Sequence, residues 1–73
     1  VSQWVTDVDK HIGRQVRILR KVRKWTQTEL GALISRSPAQ ISGYETGQKA
    51  ISATLVWNLS RALKVQVAEL FPK

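Results

Sequence analysis

The chain has no cysteine, a single histidine and only five acidic residues among its 73. Without thiols there is no disulfide framework and no thiolate metal site, which fits a reducing cytoplasm. His11 stands without a second ligand nearby and reads as a surface or capping residue, not as a metal ligand or general base. The scattered carboxylates, with no phosphate-cradling glycine loop, offer no constellation of nucleophile, base and orienter. An enzyme is not expected, nor a cofactor. No apolar run approaches the ~18–20 residues that a membrane span requires. VSQWVTDV at the N-terminus lacks a basic start followed by an apolar core, so it does not read as a signal peptide. The chain begins at Val1, not at a methionine. Strand-type alternation is nearly absent.

Positive charge is plentiful. Twelve lysines and arginines against five acids give a formal charge of +7, and the pI is near 10.7. Such a balance favours a polyanionic partner, a trait that ribosomal, membrane-surface and DNA-binding proteins share. The length allows one domain with a small core. Much of the charge lies on the first helix, where Arg14, Arg17, Lys21 and Lys24 form a stripe at helical spacing. Charge runs usually serve as solvated faces.

The stretch Thr26–Gly47, TQTELGALISRSPAQISGYETG, is written as two short helices and a tight turn. Thr26 precedes the first, with Glu29 three residues later, which is a Ser/Thr-x-x-Glu capping box that satisfies two orphaned backbone N–H groups. Ser37 and Gln40 repeat the pattern, with Pro38 at the first helical position, where a missing N–H costs nothing. Gly47 offers a left-handed residue to end the second helix. Two capped helices this close make a helix-turn-helix, a unit that most often reads DNA.

Amphipathic helices flank this unit. From Val8 to about Lys24, Val8, Ile12, Val16 and Leu19 form one buried stripe, which Ile18 and Val22 widen. Asp7 or Asp9 is expected to begin this helix, because acids suit the N-terminal dipole. A second long helix is expected over 53–64, capped by Ser52, with Val56, Leu59 and Leu63 as core and Leu55 and Trp57 pointing to the side. VAELF makes a last turn or short helix before Pro72. Residues 1–7 read as an N-terminal extension and 8–73 as a single all-α domain of five short helices.

The segment IGRQVRILRKVRKWTQTELGALISRSPAQISGYETGQKAISATLVWNLSRALKVQVAELF resembles the Cro/CI-type (XRE-like) helix-turn-helix domains of phage repressors and bacterial regulators. The resemblance covers Ile12 to Phe71. Leu-Arg in the first helix, Thr-Gln-x-Glu-Leu, Ile-Ser-x-Tyr-Glu-x-Gly and the closing Ala-Leu-x-Val…Glu-Leu-Phe carry it, in order and in register. YETGQKAISA is similar to small alphaproteobacterial regulators. The resemblance implies a five-helix lambda-repressor-like fold, helices 2 and 3 forming the motif. It also implies a cytoplasmic, nucleoid-associated place in a bacterium or phage-infected cell. The expected function is sequence-specific binding of double-stranded DNA by a small transcriptional regulator, a repressor, acting as a homodimer. The alternative is a protein-interaction module, an antitoxin-like or coactivator-like use of the same fold.

Individual residues then acquire expected roles. The resemblance implies an ion pair between Arg20 and Glu45, with the Arg20 guanidinium also in reach of a phosphate, and a backbone contact for Gln27 at a helix N-terminus. Lys24, Arg36, Ser37, Thr46, Gln48 and Lys49 complete the expected DNA backbone contacts. The recognition helix, 38–46, presents Ala39, Gln40, Ser42 and Gly43 as base contacts. Gln40 is the best base reader, because a carboxamide bonds adenine N6 and N7 together, although its capping duty competes. Leu30, Ile34, Ile41 and Tyr44 are core positions. Gly31 marks the close approach of the two motif helices, since glycine costs ~1 kcal/mol in a helix interior without such a reason.

The chain departs from the family where the turn usually reads Gly-Val/Ile-Ser. Here it is Ser35-Arg36-Ser37, so Ser35 must take a left-handed conformation and Arg36, in place of an apolar plug, must snorkel outward. Pro38 and Gly43 remove two side chains from the reading surface. Trp57, with Arg61 and Phe71, forms a candidate dimer interface, since interface hot spots favour tryptophan. Trp57 packed against Phe71 as a satellite core is an equal reading. Trp4 is open between packing on the first helix and docking on a partner.

Overall fold

The computed structural model describes residues 5–73. Four α-helices, α1 (Asp7–Val22), α2 (Gln27–Ile34), α3 (Pro38–Glu45) and α4 (Ala53–Leu63), are followed by a 3-10 turn at Val67–Glu69. The expected fifth helix is therefore only this turn. Pro72 follows it closely and Glu69 already accepts the Gln66 N–H at 2.7 Å to close the turn, so too few residues remain to nucleate an α-helix. Trp4 lies outside the described residues.

α1 begins at Asp7, with both acids in its first turn as expected, and Thr6 adds a reciprocal cap that the sequence reading did not name. Thr6 is the cap residue: its hydroxyl accepts the Asp9 N–H at 3.2 Å, and Asp9 Oδ2 accepts the Thr6 N–H at 2.8 Å. The other Asp9 oxygen accepts the Ile51 N–H at 2.9 Å, 42 residues away. One carboxylate thus closes the start of α1 and pins the loop before α4. Burial alone would push the Asp9 carboxyl upward. The N–H groups of Thr6 and Ile51 and the Thr6 hydroxyl outweigh it and hold the group below the ordinary aspartate value.

A lowered folded-state pKa contributes stability above the unfolded pKa of ~3.9, and that stability is lost as pH falls through the folded value. Asp9→Asn turns one acceptor into a donor facing either the Thr6 or the Ile51 N–H, which is expected to cost about 1–3 kcal/mol at pH 7. Thermal melts of parent and variant should converge as the pH drops below 4. A gap of equal size at pH 7 and pH 3 would show that the charge is irrelevant.

The core draws on every helix: Ile12 and Val16 from α1, Leu30 and Ile34 from α2, Ile41 and Tyr44 from α3, Leu55, Val56, Leu59 and Leu63 from α4. Ile51 and Leu70 close it from the flanking loop and turn. Three expected members of the α1 face are instead outside: Val8, Ile18 and Val22 are exposed, and Leu19 is half-buried. Their places are taken by Asp9, Gly13 and Arg20, all buried. α1 meets α3 along a polar and glycine-lined seam, so apolar periodicity alone misjudges which side faces inward. Leu55, expected at the side of α4, is buried.

Arg23 ties the helix ends together. Its Nη1 donates to the Leu19 carbonyl at 3.1 Å, and its Nη2 donates to the Leu63 carbonyl at the end of α4. Its guanidinium lies 5.9 Å from the Trp25 ring centroid. A cation at helix C-termini satisfies orphan carbonyls and complements the dipole. Lys24 and Lys64 follow α1 and α4 in left-handed conformation; Lys64 is the C-cap of α4.

Candidate nucleic-acid interface

The two motif helices start on the caps that their sequences write. Glu29 N–H meets Thr26 Oγ1 at 3.0 Å and Thr26 N–H meets Glu29 Oε1 at 2.8 Å. Gln40 N–H meets Ser37 Oγ at 3.1 Å and Ser37 N–H meets Gln40 Oε1 at 2.8 Å. Between them Ser35 has φ 57° and ψ 47°, the left-handed conformation that the missing glycine demands.

Gly31 makes the turn possible in a way that the sequence reading placed slightly wrong. A Cβ there would stand 2.2 Å from the carbonyl oxygen of Arg36 and 3.5 Å from Ile41 Cγ1. The backbone of the turn is the first obstacle, and the facing helix comes second. The Arg36 N–H in turn donates to the Gly31 carbonyl at 2.9 Å. Arg36 itself is exposed, as an uncompensated cation at a former plug position must be.

α3 is braced from behind by a four-residue network. Arg20 Nε and Nη2 donate to the two Glu45 oxygens at 2.7 and 3.0 Å, a bidentate pair. Arg20 Nη1 donates to the Trp25 carbonyl at 2.7 Å, and Gln27 Nε2 donates to Glu45 Oε1 at 3.2 Å. Only 9% of the Arg20 side chain and 1% of that of Glu45 is exposed. The hydrogen bond to Glu45 raises the Arg20 pKa above its ordinary value, against the opposing effect of burial, and the Glu45 charge adds to it. The network joins the end of α1, the start of α2 and the end of α3. The Arg20–Glu45 pair is the one the resemblance implies, whereas Gln27, expected on the DNA backbone, spends its amide on the scaffold.

On the outward side, Ala39 is exposed, while Gln40 and Ser42 are half-buried. Gln40 keeps its carbonyl oxygen on the Ser37 N–H, leaving its amide NH2 as the group free to reach a base. In that rotamer the two-point contact with adenine, which needs both ends of the carboxamide, is not available. Gly43 does not present itself to solvent: it is buried, and the stem of Lys49 lies over it. The helix ends at Glu45, with Thr46 as cap residue, and the Thr46 hydroxyl donates to the Ser42 carbonyl at 2.8 Å. Lys24, Ser37, Thr46, Gln48 and Lys49 are all exposed.

Trp57 is exposed on α4, with the Arg61 guanidinium 5.4 Å from its ring centroid. Phe71, by contrast, lines a shallow cleft with His11, Gln15 and Leu19 of α1. Trp57 does not line the cleft beside Phe71. Among the described residues no group of three or more metal-ligating side chains comes together, and no helix is long and apolar enough to cross a membrane.

A family profile described as a helix-turn-helix domain matches residues 11–70. The chain is a member of the XRE-like helix-turn-helix family. It is 37% identical over 60 residues to a competence pilus inhibition repressor of Acinetobacter baylyi, a match covering 82% of this chain and 54% of that protein. It is 34% identical over 64 residues to an uncharacterized helix-turn-helix transcriptional regulator of Sinorhizobium fredii, covering 88% of this chain and 45% of the other. The chain thus spans about half the length of these two relatives.

Its fold is similar to that of the restriction-modification controller protein C.AhdI from Aeromonas hydrophila, with a TM-score of 0.80 and 28% identity over 86% of this chain and 96% of that one. Hydroxypropylphosphonic acid epoxidase from S. wedmorenis has a TM-score of 0.82 but 17% identity, over 89% of this chain and 35% of that one, and shares the fold alone.

Gly13 escaped the sequence reading altogether, as did the bond from Asp9 to the Ile51 N–H and the tie that Arg23 makes between helix ends. Thr6-x-x-Asp9 has the spacing of a capping box. Gly13 is a helix-interior glycine, the same signal that singled out Gly31.

Proposed function

We propose that the chain is the DNA-reading domain of a transcriptional repressor that binds double-stranded DNA sequence-specifically, with α3 in the major groove. The observation that carries this reading is the placement of α3. The Arg20–Glu45–Gln27 network clamps its inner side, while Ala39, Thr46 and the following Gln48 and Lys49 remain exposed on a chain of net charge +7. Phosphates are met by Lys24, Arg36 and Ser37 around the two helix starts, where free N–H groups and positive dipole ends favour anions. The relatives named as regulators and repressors support the same reading.

One such module buries only ~600–1,000 Å² on DNA, so the complex is built from two, in a homodimer whose half-sites lie about one turn, ~34 Å, apart. Trp57, stacked with Arg61, is the candidate anchor of that dimer. The reading is tested by selecting bound duplexes from a random pool with the 73-residue chain. Enrichment of a roughly palindromic site, with a log–log salt slope of ~0.9 per phosphate neutralised, is the expected result. Recovery of no enriched site, with binding absent or insensitive to salt, would instead support a protein-interaction module. The sparse side chains on α3 favour that second reading.

A further inference from the structure

Ala39, Ser42, Gly43 and Thr46 share the outward face of α3 by helical periodicity, opposite Ile41, Tyr44 and Glu45 in the interior. This face offers few free polar groups: the Thr46 hydroxyl donates to the Ser42 carbonyl and the Gln40 carbonyl accepts the Ser37 N–H, which leaves the Gln40 amide NH2 as its free donor. Lys49 fills the gap. A Cβ on Gly43 would stand 2.8 Å from Lys49 Cδ and 3.0 Å from both Cγ and Cε. Three successive carbons at nearly equal distance mean that the stem lies flat across the glycine. Gln48 and Lys49 both donate their N–H to the Gly43 carbonyl, at 2.9 and 3.2 Å, which fixes the start of that stem against the end of α3. Among the described residues the Lys49 ammonium has no carboxylate partner.

We propose that Lys49, seated on Gly43, is the specificity-determining side chain of the reading face, entering the major groove with α3 and donating to the O6/N7 edge of a guanine. The proposal rests on the DNA-binding reading above. A phosphate contact from a flexible loop needs no seat. A seat cut into the recognition helix by a missing Cβ, by contrast, places the ammonium on the surface that faces base edges. Lysine is a preferred partner of the guanine edge. It also explains why α3 carries a glycine in its interior, where alanine would favour the helix.

Random-pool selections are run in parallel on the 73-residue chain, on Lys49→Met and on Gly43→Ala. Lys49→Met keeps an apolar stem without the charge. Gly43→Ala keeps every charge, and the three atoms nearest its methyl all belong to the flexible Lys49 stem, so the helix is retained while Lys49 is displaced. The parent is expected to select a guanine in each half-site, and both variants to lose that preference by about tenfold. Gly43→Ala should retain the parental salt slope.

If Lys49→Met weakens binding equally for all duplexes and lowers the salt slope by ~0.9 while the motif stays intact, Lys49 is a phosphate contact and the proposal is overturned. An unchanged motif for Gly43→Ala overturns it as well. If the parent enriches no site, the sequence-specific reading itself fails and takes this assignment with it. The parental selection therefore separates the two failures.

Discussion

Glu45→Ala is expected to destabilise the domain by about 3–5 kcal/mol, because it leaves the buried Arg20 guanidinium without its carboxylate. A domain of this size holds only about 4–11 kcal/mol in total, from ~0.05–0.15 kcal/mol per residue. The variant should therefore melt on the order of 15–30 °C below the parent, by the usual relation between stability change and melting temperature. The geometry argues for the upper part of that range. Both Glu45 oxygens are used by Arg20, one of them also by Gln27, and water reaches almost none of the Glu45 side chain. Thermal unfolding at low and high salt decides the matter. A loss that vanishes in 1 M salt would mark a screened surface pair, whereas a buried one is screened much less. A Glu45→Ala protein that melts like the parent would remove the pair from any structural role.

The same network predicts an asymmetry. Replacing both partners with apolar residues of similar volume, Arg20→Met with Glu45→Leu, should cost far less than Glu45→Ala alone, since no buried charge remains uncompensated. What the double variant loses is placement: the Trp25 carbonyl and the Gln27 amide lose their partners, and the starts of α2 and the end of α3 are no longer tied to α1. Stability near the parent with weakened DNA binding would identify the network as a device for holding α3 at a fixed angle.

The helix-turn-helix was legible in the sequence because its signals are local. Thr26 with Glu29, Ser37 with Gln40, and Pro38 at the first helical position specify helix starts without knowledge of any neighbour, and the structure forms both caps. Ser35 was legible by subtraction, because a turn that needs a left-handed residue and lacks glycine must use what stands there. The inward face of α1 was not legible. Ile18 and Val22 are as apolar as Ile12 and Val16, and only the arrival of α3 decides that Gly13 and Arg20 are inside while the other two are out. The Asp9–Ile51 bond joins positions 42 residues apart and leaves no local trace. On the reading face, type and spacing named Gln40, Ser42 and Gly43 together. Where the Lys49 stem comes to rest depends on the loop's path, which no periodicity encodes.

Gly13→Ala is the second large effect. A Cβ at Gly13 would stand 2.0 Å from the Tyr44 carbonyl oxygen, 3.0 Å from the Tyr44 carbonyl carbon and 3.4 Å from Glu45 Cα. All three are backbone atoms of α3, so no rotamer change relieves the clash, and α1 and α3 must separate. Separation also stretches the Arg20–Glu45 pair, which bridges the same two helices. Alanine gains about 1 kcal/mol of helix propensity over glycine, and overpacking against a rigid neighbour costs about 1–3 kcal/mol or more. With backbone as the obstacle and a buried ion pair strained alongside, the cost wins. The expected net loss is about 2 kcal/mol, a fall on the order of 10 °C in melting temperature.

Gly43→Ala supplies the internal comparison, since it makes the same change in the same kind of helix. There the atoms nearest the new methyl all belong to the Lys49 stem, which can move aside, so the propensity gain should survive and the melting temperature should hold or rise. Equal shifts in the two variants would mean that the α1–α3 crossing is looser than a glycine-to-carbonyl contact. Opposite shifts would establish that Gly13 is there for the close approach of α3 to α1.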